Sequence, residues 1–194
     1  MQYSTFAAID IGSYDVILEI FEISKKQGIR SVDKICHRME LGKDTYTLGK
    51  IRPEMEEELC RVLADFVRIM EGYRVDAYRA MASSAISEAA NSLYVLGKIR
   101  QLTGLSVTVL SNSEQRFLGY KALAAMEDNF NKIIEKGTAI LDLDGGSFQI
   151  SLFDKDALVT TQNIRMGSLR IRERLAGIQS ETEHYEEMVE ELIW

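Results

Sequence analysis

Short apolar runs broken by glycine turns dominate both ends of the chain, while helical spacing dominates its middle. Residues 5–11 form a largely apolar run, and residues 16–23 a β-rich one, with Gly12, Ser13, Tyr14 and Asp15 between them, which predicts a hairpin. A third run, residues 29–41, follows a Lys25-Lys26-Gln27-Gly28 turn and ends at Gly42. Three consecutive strands joined by short turns predict an antiparallel meander.

Pro53 suits the first position of a helix. Met55, Leu59, Val62, Leu63, Phe66 and Met70 then recur at helical spacing up to Gly72. Residues 75–82 read as a strand, 92–103 as a helix closed by Gly104, and 105–110 as another strand. A further helix starts after Ser111 and extends to about residue 130, and the polar stretch 132–137 places a boundary between lobes at 131/132.

After that stretch the opening pattern returns. Residues 138–143 and 148–153 are strands around an Asp144-Gly145-Gly146-Ser147 turn, and 157–164 is a third strand. Gly167 opens a helix to about residue 176, and residues 181–194 form a last, acidic helix with Tyr185, Met188, Val189 and Leu192 on one side. Ala8-Ile9-Asp10-Ile11-Gly12-Ser13 is thus echoed by Leu141-Asp142-Leu143-Asp144-Gly145-Gly146-Ser147, each followed by a strand. The expected architecture is α/β with two lobes, 1–131 and 132–194, each opening on a three-strand meander.

Composition narrows the function classes. No run approaches the roughly 18 apolar residues of a membrane helix, and the first residues lack a signal-peptide pattern, so a cytoplasmic protein with no membrane partner is expected. A net charge of −7 argues against nucleic acid and requires any polyanion to be held locally, by turn amides or a divalent cation. Cys36 and Cys60 lack metal-ligand spacing and read as reduced core residues, and His37 and His184 stand alone.

A strand that ends in Asp and turns through Gly presents several N–H groups on one side, where phosphate oxygens fit. The Asp beside the turn can coordinate Mg²⁺ or orient water. One such turn would be an ordinary hairpin. Two, each opening a meander, point to phosphate binding, with Gly12, Ser13, Gly145, Gly146 and Ser147 as contacts and Asp10, Asp142 and Asp144 as metal candidates.

The duplicated pattern resembles the actin-like ATPase superfamily, whose lobes have a ribonuclease H-like fold, and within it the amino-terminal part of the exopolyphosphatase and guanosine pentaphosphate phosphohydrolase (Ppx/GppA) family. That family's Asp-Ile-Gly-Ser-Asn-Ser motif is similar to Asp10-Ile11-Gly12-Ser13-Tyr14-Asp15. Its Thr-Ser-Ala-x-Arg-Glu-Ala and Ser-Gly-x-Glu-Glu-Ala segments are similar to residues 83–89 and 111–116. Its Asp-Ile-Gly-Gly-Gly-Ser-Thr-Glu loop corresponds to residues 142–149, and its Leu-Gly segment to Met166-Gly167-Ser168-Leu169-Arg170. The resemblance implies Mg²⁺-dependent hydrolysis of phosphoanhydrides in an interlobe cleft, with polyphosphate or a guanosine penta- or tetraphosphate as ligand.

Three implied positions depart from the family. The general base is Gln115 here, the metal-associated Glu is Gln149, and the phosphate-contacting Arg is Ser87. Gln cannot take a proton from water, general-base help being worth about 10²–10⁴-fold, and Ser cannot replace a forked cation. Tyr14, Asp15 and Asp144 also depart from the two loops. Asp144 could add a metal ligand or repel phosphate. Glu114 could substitute as base, but Ser111-x-x-Glu114 also reads as a capping box, and neighbouring helical side chains point about 100° apart.

Hydrolase, with Asp142 and Asp144 holding Mg²⁺ and Glu114 as base, and non-catalytic phosphate-binding module therefore both stand as readings, the substitutions favouring the second. A kinase or ATPase would further need a nucleotide seat. The second lobe lacks the later elements of the first, so its open strand edges predict either more chain beyond Trp194 or pairing with another chain, as in a homodimer.

Overall fold

The structure, a computed structural model, describes residues 3–127, 129–176, 186, 187 and 190. It divides into two compact units, Met1–Leu110 and Ser111–Trp194.

In the first unit, β1 (Ser4–Ile11), β2 (Asp15–Ser24) and β3 (Gly28–Arg38) form the expected antiparallel meander. Next come α1 (Leu41–Leu48), α2 (Pro53–Gly72), β4 (Ala77–Ala82), α3 (Ser84–Ser87), α4 (Ser92–Thr103) and β5 (Val107–Val109). The sheet order is β3-β2-β1-β4-β5, with β4 parallel to β1 and β5 parallel to β4. Alternation along β1 and β2 sends Ala7, Ile9, Ile11, Val16, Leu18 and Ile20 to one face, all fully buried with Leu59, Leu63 and Phe66 of α2 and Val95 and Ile99 of α4.

Several local readings change. The third run stops at Arg38 and residues 41–48 turn into α1, because Glu40 takes a left-handed conformation (φ 54°) and the N–H groups of Met39 and Glu40 bond Tyr14 O, both at 2.9 Å. Helix α2 ends in a Schellman arrangement around left-handed Arg74 (φ 52°), with bonds from Val75 N–H to Met70 O and from Arg74 N–H to Glu71 O, each 3.0 Å. Gly72 is the last helical residue and not the cap. Cys60 is buried, but Cys36 is exposed on the outer strand β3.

The second unit begins at Ser111, some residues before the expected boundary. Its first helix, α5 (Asn112–Met126), belongs with the second sheet through Tyr120, whose ring packs edge-on against Phe153 at 5.2 Å, and through Arg116, which bonds Thr161 Oγ1 at 3.0 Å. A separate helix, α6 (Phe130–Glu135), occupies most of the stretch read as a polar connection. Strands β6 (Thr138–Leu143), β7 (Phe148–Asp154) and β8 (Ala157–Ile164) repeat the antiparallel meander, followed by α7 (Ser168–Ala176). The pairs Ala139–Leu152, Leu141–Ile150 and Leu143–Phe148 repeat the first sheet's Ala7–Ile20, Ile9–Leu18 and Ile11–Val16. The helix read at 181–194 lies outside the described residues, apart from three isolated positions. Among the described residues no helix is long and apolar enough to cross a membrane.

Candidate functional site: two glycine turns and their supports

The first turn closes with Gly12 N–H bonded to Asp15 O at 2.9 Å, and a β-carbon on Gly12 would come within 3.0 Å of that oxygen. Glycine is what lets the hairpin turn so tightly. Asp10 ends β1 on the face opposite Ile9 and Ile11 and is exposed. Ser13 is almost wholly buried, and its hydroxyl meets Tyr46 Oη of α1 at 2.7 Å. Tyr46 Oη in turn meets Ser84 Oγ at 2.8 Å. Gly42 N–H donates to Ser13 O at 2.9 Å, so α1 is tied to the turn at backbone level too. Tyr14 carries the Arg38 guanidinium 5.4 Å above its ring, and Asp15 is already the first residue of β2.

Parallel pairing of Ile11 with Ala82 brings the end of β4 beside this turn. Ser83 N–H bonds Ile11 O at 3.3 Å, and Ser83 Oγ is buried with no hydrogen-bond partner among the described residues. Ser87 sits exposed at the end of α3, its N–H on Ser83 O at 3.1 Å.

The second turn is supported differently. Asp144 N–H bonds Ser147 O at 2.9 Å, and Gly145 and Gly146 are buried. The start of α7 donates into the turn's carbonyls. Ser168 N–H reaches Asp144 O at 3.0 Å, Leu169 N–H and Arg170 N–H reach Gly145 O at 3.1 and 3.3 Å, and Arg170 Nε reaches Gly146 O at 2.6 Å. Gly167 makes this possible, since a β-carbon there would lie 2.4 Å from Gly145 C and O and from Ser147 N. Ser147 Oγ accepts from Asn163 Nδ2 at 3.3 Å. Asp144 Oδ1 accepts the neighbouring Gly145 N–H at 2.5 Å, so one turn amide already faces a carboxylate.

Asp142 pairs with Gln149 across β6 and β7, and Gln149 with Asn163 across β7 and β8, which puts the three on one face in a polar row. Asp142 also lines a cavity of about 300 Å³ with Arg116, Tyr120, Leu123, Ile140 and Ser151. Although the residue as a whole is exposed, its carboxyl lies partly desolvated against these groups. That desolvation first, and the charge of Asp144 second, raise its pKa above the ordinary value. Gln149 is 4% exposed, and its Oε1 is buried without a partner among the described residues.

Glu114 forms the capping box. Its Oε2 accepts from Ser111 N–H at 2.8 Å and from Ser111 Oγ at 2.7 Å, while Ser111 Oγ accepts from Glu114 N–H at 3.3 Å. The backbone bond first and the hydroxyl second hold its carboxyl below the ordinary glutamate value, which weakens it as a base. Gln115, one residue on, is half-buried, with its N–H on Ser111 O at 3.0 Å.

For Mg²⁺, the donors on hand are the Asp142 and Asp144 carboxylates and the orphaned Gln149 Oε1 beside Asp142. Among the described residues no three His, Cys, Asp or Glu side chains group as a metal site. Two carboxylates suffice for Mg²⁺ when phosphate oxygens and water complete its octahedron, and an acceptor oxygen lacking a donor suits a cation, so the residues fit. Asp10, Gly12, Ser13 and Ser87 belong to the first unit, and Glu114, Gln115 and the remaining site residues to the second.

Tyr46, Ser83, Asn163 and Arg170 were not singled out by sequence reasoning as site residues. Tyr46 lies 33 residues from the serine it touches, with no motif to flag it. Arg170 falls in the segment similar to the family's Leu-Gly motif, a signal that could have drawn attention to it.

The family model described as the Ppx/GppA phosphatase family matches residues 19–193. Among curated relatives, the bifunctional 3-dehydroquinate synthase/phosphatase of Fusobacterium nucleatum is 22% identical, covering 87% of this chain and 26% of that protein. Exopolyphosphatase 1 of Mycobacterium leprae is 26% identical over 74% of this chain and 41% of its own length. The crystal structure of the Aquifex aeolicus Ppx/GppA family member superposes with a TM-score of 0.73 at 23% identity, covering 98% of this chain and 59% of that one, and so shares the fold. The chain thus spans less than half the length of the two curated relatives. With the family model matched over almost its whole length, two glycine turns each ending an Asp-bearing strand, and the meander present in both units, the chain belongs to the Ppx/GppA phosphatase family.

Proposed function

We propose that this chain binds the phosphoryl groups of a linear phosphoanhydride, polyphosphate or a guanosine polyphosphate, at the glycine turn of each unit, and that it does so without hydrolysing it. The observation that carries this reading is the state of Glu114. The carboxylate next to the general-base position is engaged in the helix cap, and the position itself holds Gln115. Binding is supported by family membership and by relatives named exopolyphosphatase. It is supported also by the glycine content of both turns, since glycine lacks the side chain that would keep phosphate oxygens away from the backbone.

Asp142 and Asp144 would hold Mg²⁺, which when bound neutralises phosphate charge in a protein whose own net charge is −7. Asp142 accepts the cation more readily once its own proton is lost, and Gln149 Oε1 adds a neutral oxygen beside it. Ser87 supplies no positive charge to the ligand, so the cation carries more of that task than where arginine is present.

Hydrolysis is the second reading, favoured by one observation. A carboxyl with a raised pKa beside a cavity, as at Asp142, is suited to proton transfer. Tripolyphosphate binding by calorimetry, with Mg²⁺ and with EDTA, and orthophosphate release from long-chain polyphosphate separate the two. The variant Ser87→Arg, Gln115→Glu, Gln149→Glu serves as comparison. The expected result is Mg²⁺-dependent binding by the natural protein, with release slower than the variant's by about 10²–10⁴-fold. Release at the variant's rate would reject the non-catalytic reading, and no binding by either protein would reject both.

A further inference from the structure

We propose that Tyr46 and Ser83 contact phosphate directly, forming with Ser13 and Ser84 an uncharged, hydroxyl-lined seat for one phosphoryl group beside the first turn; this rests on the phosphate-binding reading above. The four hydroxyls come from three segments distant in sequence, the β1–β2 turn, α1 and the β4–α3 junction. Two contacts, 2.7 and 2.8 Å, string Ser13, Tyr46 and Ser84 together. The bond from Ser83 N–H to Ile11 O holds the fourth against the same turn.

Ser83 is the informative member. It is 6% exposed, and its hydroxyl has no partner among the described residues. Although Ser83 stands at the N-cap of α3, its side chain makes no capping bond. Folded proteins pair the large majority of their buried polar atoms, and the exceptions call for an outside partner or a cost borne for function. A hydroxyl that donates to nothing in the protein, next to a glycine turn, suits an acceptor that arrives with a ligand.

The chemistry selects that ligand. A hydroxyl can turn its proton without moving its oxygen; the two contacts of the Ser13–Tyr46–Ser84 string use two of its three protons, which leaves one to turn toward an oxyanion placed against it. A phosphoryl group offers only acceptors there. Attraction to such a seat is short-ranged and little screened by salt, unlike that of a surface lysine.

The test measures tripolyphosphate affinity by calorimetry in saturating Mg²⁺, and melting temperature, for the natural protein, Ser83→Ala and Tyr46→Phe. Ser83→Ala removes no intramolecular hydrogen bond, so it should melt at or above the natural protein while binding about tenfold more weakly. Tyr46→Phe should melt lower and also bind about tenfold more weakly. Ser83→Ala binding within about twofold of the natural protein overturns the proposal, because twofold is less than one hydrogen bond to a charged group confers. A loss confined to Tyr46→Phe, tracking its lower melting temperature, gives the hydroxyl string a structural role and overturns it too. If the natural protein binds no tripolyphosphate, the phosphate-binding reading itself fails and this inference with it. If the natural protein and both variants bind alike, this inference alone fails.

Discussion

In Gly167→Ala the added methyl would lie 2.4 Å from the carbonyl carbon and oxygen of Gly145 and from the amide nitrogen of Ser147. That is about 1 Å inside the distance at which such atoms meet comfortably, and all three are backbone atoms that cannot rotate aside. The second turn and the start of α7 must separate. Separation breaks the bonds of Leu169 and Arg170 N–H to Gly145 O and stretches those to Asp144 O and Gly146 O. At about 1 kcal/mol per bond, or 1–3 kcal/mol for overpacking if the bonds hold, the second unit loses about 1–3 kcal/mol. For a unit of this size the melting temperature falls by about 4–8 °C per kcal/mol, giving a drop on the order of 4–24 °C. Calorimetric and circular-dichroism melts measure it, with Gly137→Ala, whose methyl meets nothing within 4 Å, as the control. A Gly167→Ala melting temperature within about 3 °C of the natural protein's would refute the account of the turn.

Arg74→Gly should stabilise the first unit by about 0.5–1 kcal/mol, since left-handed backbone strains a residue with a β-carbon and glycine relieves it at a small entropic cost; a lower melting temperature in denaturation scans would contradict this. Glu114→Gln should make stability less dependent on acid. The folded pKa of Glu114 is lowered, so its contribution is full above the ordinary glutamate value and disappears as pH falls through the lowered folded value. The melting-temperature gap between natural protein and variant should therefore be present at neutral pH and close in acid; a gap that widens toward acid would show the capping geometry to be wrong.

Both meanders could be read from the chain because strand alternation and glycine turns are local signals, and Asp10 and Asp142 fall at equivalent strand ends for the same reason. Helix α1 could not. Its residues, with Gly42, Thr45 and Thr47, have weak helical preference, and a left-handed Glu40 anchored to Tyr14 O turns them away from the sheet. Arg74 was hidden for a related reason, because a glycine two residues earlier looked like the stop. At the site, the glycines, aspartates and the Ser111-Glu114 capping box were legible as patterns. The contacts of Tyr46, the unpartnered oxygens of Ser83 and Gln149, and the fit of Gly167 against Gly145 depend on residues far apart in sequence and emerge only once the chain is folded.

The donation of α7 amides into the second turn has a thermodynamic consequence. Three carbonyls of that turn are fixed in direction by helix α7, so the peptide planes between them cannot flip without breaking bonds on both sides. A ligand meeting this turn finds its amide groups already oriented, and little chain entropy is lost there on binding. The corresponding loss at the first turn is also small, for the same reason: the N–H groups of Met39, Glu40 and Gly42, at and just before the start of α1, bond Tyr14 O and Ser13 O. The two turns are alike in sequence and in being braced by main-chain bonds from the start of the helix that follows each meander; the second adds a glycine contact and the Arg170 side chain, the first a string of hydroxyls.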